Sequence, residues 1–175
     1  MKPARTDSQT STPNAITSFT DCHAGIVGQL DAHGELDGLL TAAARARHIA
    51  QQAIDYFDEM ILGHHEDEER ELFPTVCKHA AAGPERKDVK MMCERLVADH
   101  RKLEKQWRAI KPQLVRIAAG RDTRLDVDAT AALIANYKAH AHFEETHFLP
   151  MAEQILGRED AELARLGYAL HIRHA

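Results

Sequence analysis

Cysteine, aromatic residues and long apolar runs are all scarce in this chain, and each scarcity removes a class of protein. The three cysteines, Cys22, Cys77 and Cys93, are odd in number and include no C-x-x-C pair. That pattern speaks against a disulfide scaffold and against a zinc ribbon, and Cys22 is expected to be a small buried thiol. No apolar stretch approaches the roughly 20 residues that cross a bilayer. Aromatics make up only 5% of the 175 residues and the net charge is −5. Without a basic stripe interleaved with aromatics, a nucleic-acid surface has no support. Residues 1–18 are polar, with Thr, Ser and Pro and no apolar centre, which reads as a flexible tail and not a secretory signal. These absences together point to a cytoplasmic protein.

What the chain has in quantity is helix-forming residues. Ala, Leu, Glu, Gln and Arg dominate its long blocks, so an all-α fold is predicted. Apolar spacings of three and four place helix A from about Thr20 to Ala43 and helix B from Arg45 to Ala80. Helix C follows from Lys87 to Ile110, where Pro112 is expected to bend or end it. Helix D runs from Asp126 or Asp128 to Leu156, stopped by Gly157. A short helix E, Glu159 to Ile172, is expected to cap the bundle or to form a subunit contact.

Two segments share one grammar. His64-His65-Glu66-Asp67-Glu68-Glu69 and His140-Ala141-His142-Phe143-Glu144-Glu145 each read H-x-x-x-E-E, and a proline, Pro74 or Pro150, follows ten residues after the first histidine. Residues four apart lie on one helix face, so His64 with Glu68, and His140 with Glu144, can aim a nitrogen and an oxygen at one point. His23 precedes His64 by 41 residues, and His100 precedes His140 by 40. The matching offsets between halves are 77 and 76, as a duplicated two-helix hairpin would give. Stacking two such hairpins makes a four-helix bundle with ligands projecting into its core.

Four histidines and two glutamates are too many for one transition-metal ion. Shared between two ions, with both carboxylates bridging and an oxide or hydroxide between them, they leave one position per metal open. Imidazole and carboxylate without thiolate suit iron, with manganese or zinc as alternatives. His65, Glu69, His142, Glu145 and His147 fall off the ligand stripe and are expected to face water or neighbouring helices. Glu104, one turn after His100, is read as a solvated carboxylate or as an acceptor for an imidazole N–H. Tyr137 and Trp107 are read as core lining, and the run Glu66 to Glu71 as a solvated face.

The order H, H-x-x-x-E, H, H-x-x-x-E on successive helices, with its trailing L-F-P and F-L-P, resembles the haemerythrin-like (HHE cation-binding) family over roughly Thr20 to Leu156. The resemblance implies an up-down-up-down four-helix bundle spanning 19–157, with the extra C-terminal helix in 158–175. It also implies a non-haem di-iron centre held by His23, His64, Glu68, His100, His140 and Glu144. One turn from His100 stand Leu96 and Glu104 and not a further histidine, unlike the oxygen carriers of the family. The implied function is binding of oxygen, nitric oxide or a related small ligand as a sensor or scavenger. The alternatives are a di-iron oxidoreductase turning over peroxide or nitric oxide, and iron storage, delivery or iron-centre repair, with a redox or iron-acceptor partner. Either a monomer or a dimer is compatible with the pattern.

Overall fold

The computed structural model describes residues 15–121 and 124–158, with side chains from residue 21 onward. The predicted helix E lies outside the described residues, as do His171 and His174. Every regular element among the described residues is helical, as the composition predicted. None of those helices is long and apolar enough to cross a membrane. The chain divides into two compact units, 1–45 and 46–175.

The first unit holds α1 (Ala15–Gly34) and the opening of α2 (Leu36–Asp55). Helix thus begins inside the stretch expected to be tail. The break between helices falls at Glu35, about ten residues before the expected boundary. Gly34 disfavours helix there, whereas the run Ala42-Ala43-Ala44-Arg45 carries α2 straight through the expected stop. Ile26, Val27, Leu30, Leu39 and Leu40 are exposed, and so is Cys22, against the expectation of a buried thiol.

The second unit consists of three helical rods joined by short links. The first continues α2 through a π turn (Tyr56–Ile61), α3 (Leu62–Asp67), a second π turn (Glu68–Leu72) and α4 (Phe73–His79). α5 (Pro84–Ala118) is the second rod. The third is α6 (Val127–Phe143), a π turn (Glu144–Phe148) and α7 (Leu149–Leu156). The four-helix bundle expected from the repeat is therefore observed in this unit as three rods.

α5 shows how the core is organised. Its buried positions Val89, Cys93, Leu96, His100, Leu103, Trp107 and Ile110 alternate steps of four and three, a seven-residue seam along one face. Only His100 is polar. On one side of it lies a core of Phe73, Val76, Leu96, Phe148 and Ile155, among others. On the other side Ile54, Phe57, Leu103, Trp107, Ile110 and Leu133 form a second core. Each fully buried large side chain contributes about 1.5–3 kcal/mol, so two apolar layers fix the height of the polar layer between them. Cys77 and Cys93 meet in the first core as free thiols with sulfurs 3.8 Å apart.

Of the two outcomes expected at Pro112, ending does not occur: α5 runs on through it to Ala118. Pro112 and Arg108, whose carbonyl would have received the missing N–H, both lie on the exposed side. Water can solvate that carbonyl while Ile110 and Leu114 hold the buried side in the core. The helix instead ends at Gly120, whose φ of 67° permits N–H bonds from Gly120 to Ile117 and from Arg121 to Arg116. This is a Schellman termination, which needs a residue without Cβ strain at the left-handed position. α6 starts where predicted, with the Asp126 carboxylate accepting from the Ala129 N–H at 2.9 Å.

The two prolines of the repeat do more than kink a helix. Immediately before each, the turn widens: the Phe73 N–H bonds the Glu68 carbonyl, and the Leu149 N–H bonds the Glu144 carbonyl, both five residues back. A π turn opens space where the proline ring would collide with the carbonyl four residues earlier. Glu68 and Glu144 are the first residues of these wide turns.

Candidate metal centre

Five of the six predicted ligands converge in the second unit. His64 and Glu68 come from the first rod, His100 from α5, and His140 and Glu144 from the third rod. His23, the sixth, lies exposed on α1 in the first unit. Glu68, His100, His140 and Glu144 are buried between the apolar cores, and the His64 side chain is 44% exposed at the margin. Glu68 is the hub. Its Oε1 lies 3.0 Å from His64 Nε2 and its Oε2 lies 3.2 Å from His100 Nε2. His140 Nε2 is 3.8 Å from Glu144 Oε2.

His65, expected to face water or a neighbouring helix, faces the neighbouring α5. It is 1% exposed, not facing solvent, and its ring stacks on His100 with centroids 3.9 Å apart and planes within 6°. His140 meets it edge-on at 5.7 Å. Two groups of three donors result, His65 with His100 and His140, and His64 with Glu68 and Glu144, each with its donor atoms within 4.8 Å of one another. Glu69, expected to face water or a neighbouring helix, also meets α5: it accepts a hydrogen bond from His100 Nδ1 at 2.8 Å and is clamped by Arg101. Glu104, by contrast, accepts from Arg101 at 2.7 Å on the exposed side. His142, Glu145 and His147 are exposed as predicted. Asp67 and Glu68 are buried, so the acidic run is not a uniformly solvated face.

The hydrogen bonding of His100 decides what the site can hold. His100 presents Nδ1 to Glu69, which accepts its hydrogen bond at 2.8 Å, and Nε2 to Glu68 at 3.2 Å. A cation between Nε2 and that carboxylate oxygen would be held by both, and Nε2 has no geometrically sound hydrogen bond without one. The neighbouring atoms tell the same story. Both oxygens of Glu68 and both ring nitrogens of His65 and His140 are buried without a geometrically sound hydrogen bond. Seven orphaned polar atoms, counting His100 Nε2, occupy one layer of the core. Such groups are rare in folded proteins because each costs about 1–3 kcal/mol. Imidazole nitrogens and carboxylates fit a borderline or hard divalent metal.

Electrostatics separate the two glutamates. Burial pushes Glu68 upward, but the contacts with His100, His64 and Glu144 outweigh it and hold the carboxyl well below the usual range. Burial, reinforced by the neighbouring Glu68, pushes Glu144 up to about 9. Without metal, then, one carboxylate is ionised and its neighbour keeps a proton. Burial and the adjacent His100 depress His65 to about 3, leaving it a neutral donor.

Comparison with family models matches the hemerythrin HHE cation binding domain over residues 14–152. The chain belongs to that family. As a hemerythrin HHE domain it binds metal cations, and the histidine and glutamate cluster is where such a cation fits. Comparison with curated proteins and with solved structures gave no match.

A groove of about 260 Å³ lined by Tyr56, Met60, Ile61, His64 and Tyr137 opens beside His64. Tyr137 is half-buried with its ring 5.9 Å from His140. Trp107 is core lining as predicted, stacked on Phe57 at 4.1 Å and donating to Asp58 at 3.0 Å.

Proposed function

We propose that this HHE domain is a non-haem di-iron protein that binds oxygen, nitric oxide or a related small ligand as a sensor or scavenger. The observation that carries the reading is Glu68 set between His64 and His100, with one carboxylate oxygen toward each. That is the placement of a carboxylate shared by two ions, with Glu144 beside it as the second acidic donor. Bound iron would supply a ferrous–ferric couple and a position for the small ligand. The chain's own residues do the rest. Glu68 and Glu144 would hold the metal and offset its charge, Glu144 as the carboxyl that is protonated without it, and Glu69 holds the His100 ring in one orientation. Phe73 and Phe148 keep water from one side, and the groove beside His64 admits the ligand.

In this reading α1 belongs to the same domain. The family match begins at residue 14 and so includes α1, which carries exposed Ile26, Val27 and Leu30 along with His23. An up-down-up-down four-helix bundle, with His23 as a further ligand, is the arrangement these features support. The test is metal content per chain, with the visible spectrum of the ferrous protein before and after oxygen or nitric oxide. About two irons per chain and a spectral change are expected; no iron uptake, or a spectrum indifferent to both gases, would overturn the reading. Catalytic consumption of peroxide or nitric oxide with an electron donor, lost in Glu144→Ala, would place the protein among oxidoreductases instead.

A further inference from the structure

Resting on that metal-binding reading, we infer that His65 is itself a metal ligand, and that the centre has two chemically unlike halves. One half is all imidazole, from His65, His100 and His140; the other is His64, Glu68 and Glu144.

The geometry of His65 carries the inference. A histidine buried only for packing usually satisfies at least one ring nitrogen with a carbonyl, a carboxylate or water. His65 satisfies neither Nδ1 nor Nε2, although it is among the most deeply buried side chains in the molecule. Its ring lies parallel to that of His100 at 3.9 Å, and donor atoms of the two rings and of His140 fall within 4.8 Å of one another. His140 likewise leaves both nitrogens unpartnered, and His100 leaves Nε2. Three imidazoles from three different helical rods are all short of a partner at the same height, and a single cation would take one nitrogen from each. Glu68 joins this half to the other through its Oε2.

With His65 the second unit alone supplies four histidines and two glutamates. The two halves then differ in charge. Three neutral imidazoles leave the ion's charge uncompensated except by Glu68, whereas in the other half two carboxylates, Glu68 and Glu144, can offset it. The carboxylate half is expected to fill first and to hold its ion more tightly.

The experiment is anaerobic titration of the metal-free full chain with Co²⁺, followed by visible absorption and by metal content after desalting. Wild type, His65→Phe and the exposed control His147→Phe are compared. Phenylalanine keeps a flat ring against His100 and removes both donors. The expected result is two-step filling in wild type and the control, with loss of the weaker step and its absorption in His65→Phe. His65→Gln, which keeps a polar group of shorter reach, should weaken that step at least tenfold and gives the answer if the phenylalanine variant fails to fold. Equal stoichiometry, affinity and spectrum in wild type and either folded variant would overturn the inference while leaving the metal-binding reading intact. No cobalt uptake by wild type would overturn both.

Discussion

The segments His64–Pro74 and His140–Pro150 have the same H-x-x-x-E-E pattern, the same π turn and the same proline, yet the molecule uses them differently. In the first, the residue after the histidine is His65, buried against His100; in the second it is Ala141. Glu69 orients His100, while its counterpart Glu145 is exposed. Glu68 is held ionised and Glu144 is held protonated. Even the apolar residues are exchanged: L-F-P buries Phe73 one position later than F-L-P buries Phe148, and the two rings meet edge to face at 5.0 Å. A repeat supplies the frame, and its immediate neighbours make the two copies chemically unequal. Orienting and charging one donor set more firmly than the other makes the two sets unlike within one polar layer.

The strongest test of the shared frame is its aromatic contact. Phe73→Ala and Phe148→Ala should each lower the stability of the metal-free protein by about 3–5 kcal/mol in urea denaturation. Equal losses would mean that both halves carry the same packing load despite their shifted register. Next comes the hub. Glu68→Ala should weaken metal binding by more than about 100-fold, beyond the range typical of residues that only orient ligands, and Glu144→Ala by less. Identical losses in the two variants would erase the asymmetry claimed between the carboxylates.

A smaller and more selective effect separates Glu69 from Glu145. Glu69→Gln should weaken metal binding by about 10–100-fold through misorientation of His100, whereas Glu145→Gln should match wild type in the same chelator competition. If both are silent, the Glu69–His100 hydrogen bond has no functional consequence.

The gentlest probe is pH. Glu144 has a folded-state pKa raised from 4.5 to about 9, so its contribution to the metal-free protein is complete below 4.5 and is lost as pH rises through about 9. Glu68 has a lowered pKa, so its contribution is present above 4.5 and is lost as pH falls below that value. Urea midpoints of the metal-free Glu144→Gln protein should therefore lose the alkaline decline and keep the acid one. Loss of the acid limb instead would reverse the assignment of the proton.

His64, Glu68, His100, His140 and Glu144 were legible because helical spacing repeats in both halves and metals need convergent donors. His65 and Glu69 were not, because counting faces assumes 3.6 residues per turn throughout. π turns lie before and after the short α3 that carries His64 and His65, and each widens the winding and rotates the residues beyond it. Two signals were nonetheless present: His65 and Glu69 are themselves four apart, and a proline stands at the same offset in both copies. That Pro112 does not end α5 was not legible either, since the cost of a proline depends on whether the orphaned carbonyl can reach water.

By itself the sequence determined an all-helical chain, a duplicated pattern and the residue types of a metal centre, because propensity and periodicity are local properties that neighbouring residues settle. Only the tertiary structure decided which histidines share the polar layer, which glutamate keeps a proton and which one orients a ring. Those outcomes depend on burial and on side chains from distant rods, and a buried nitrogen or carboxylate takes its character from whatever the fold sets within a few ångströms of it.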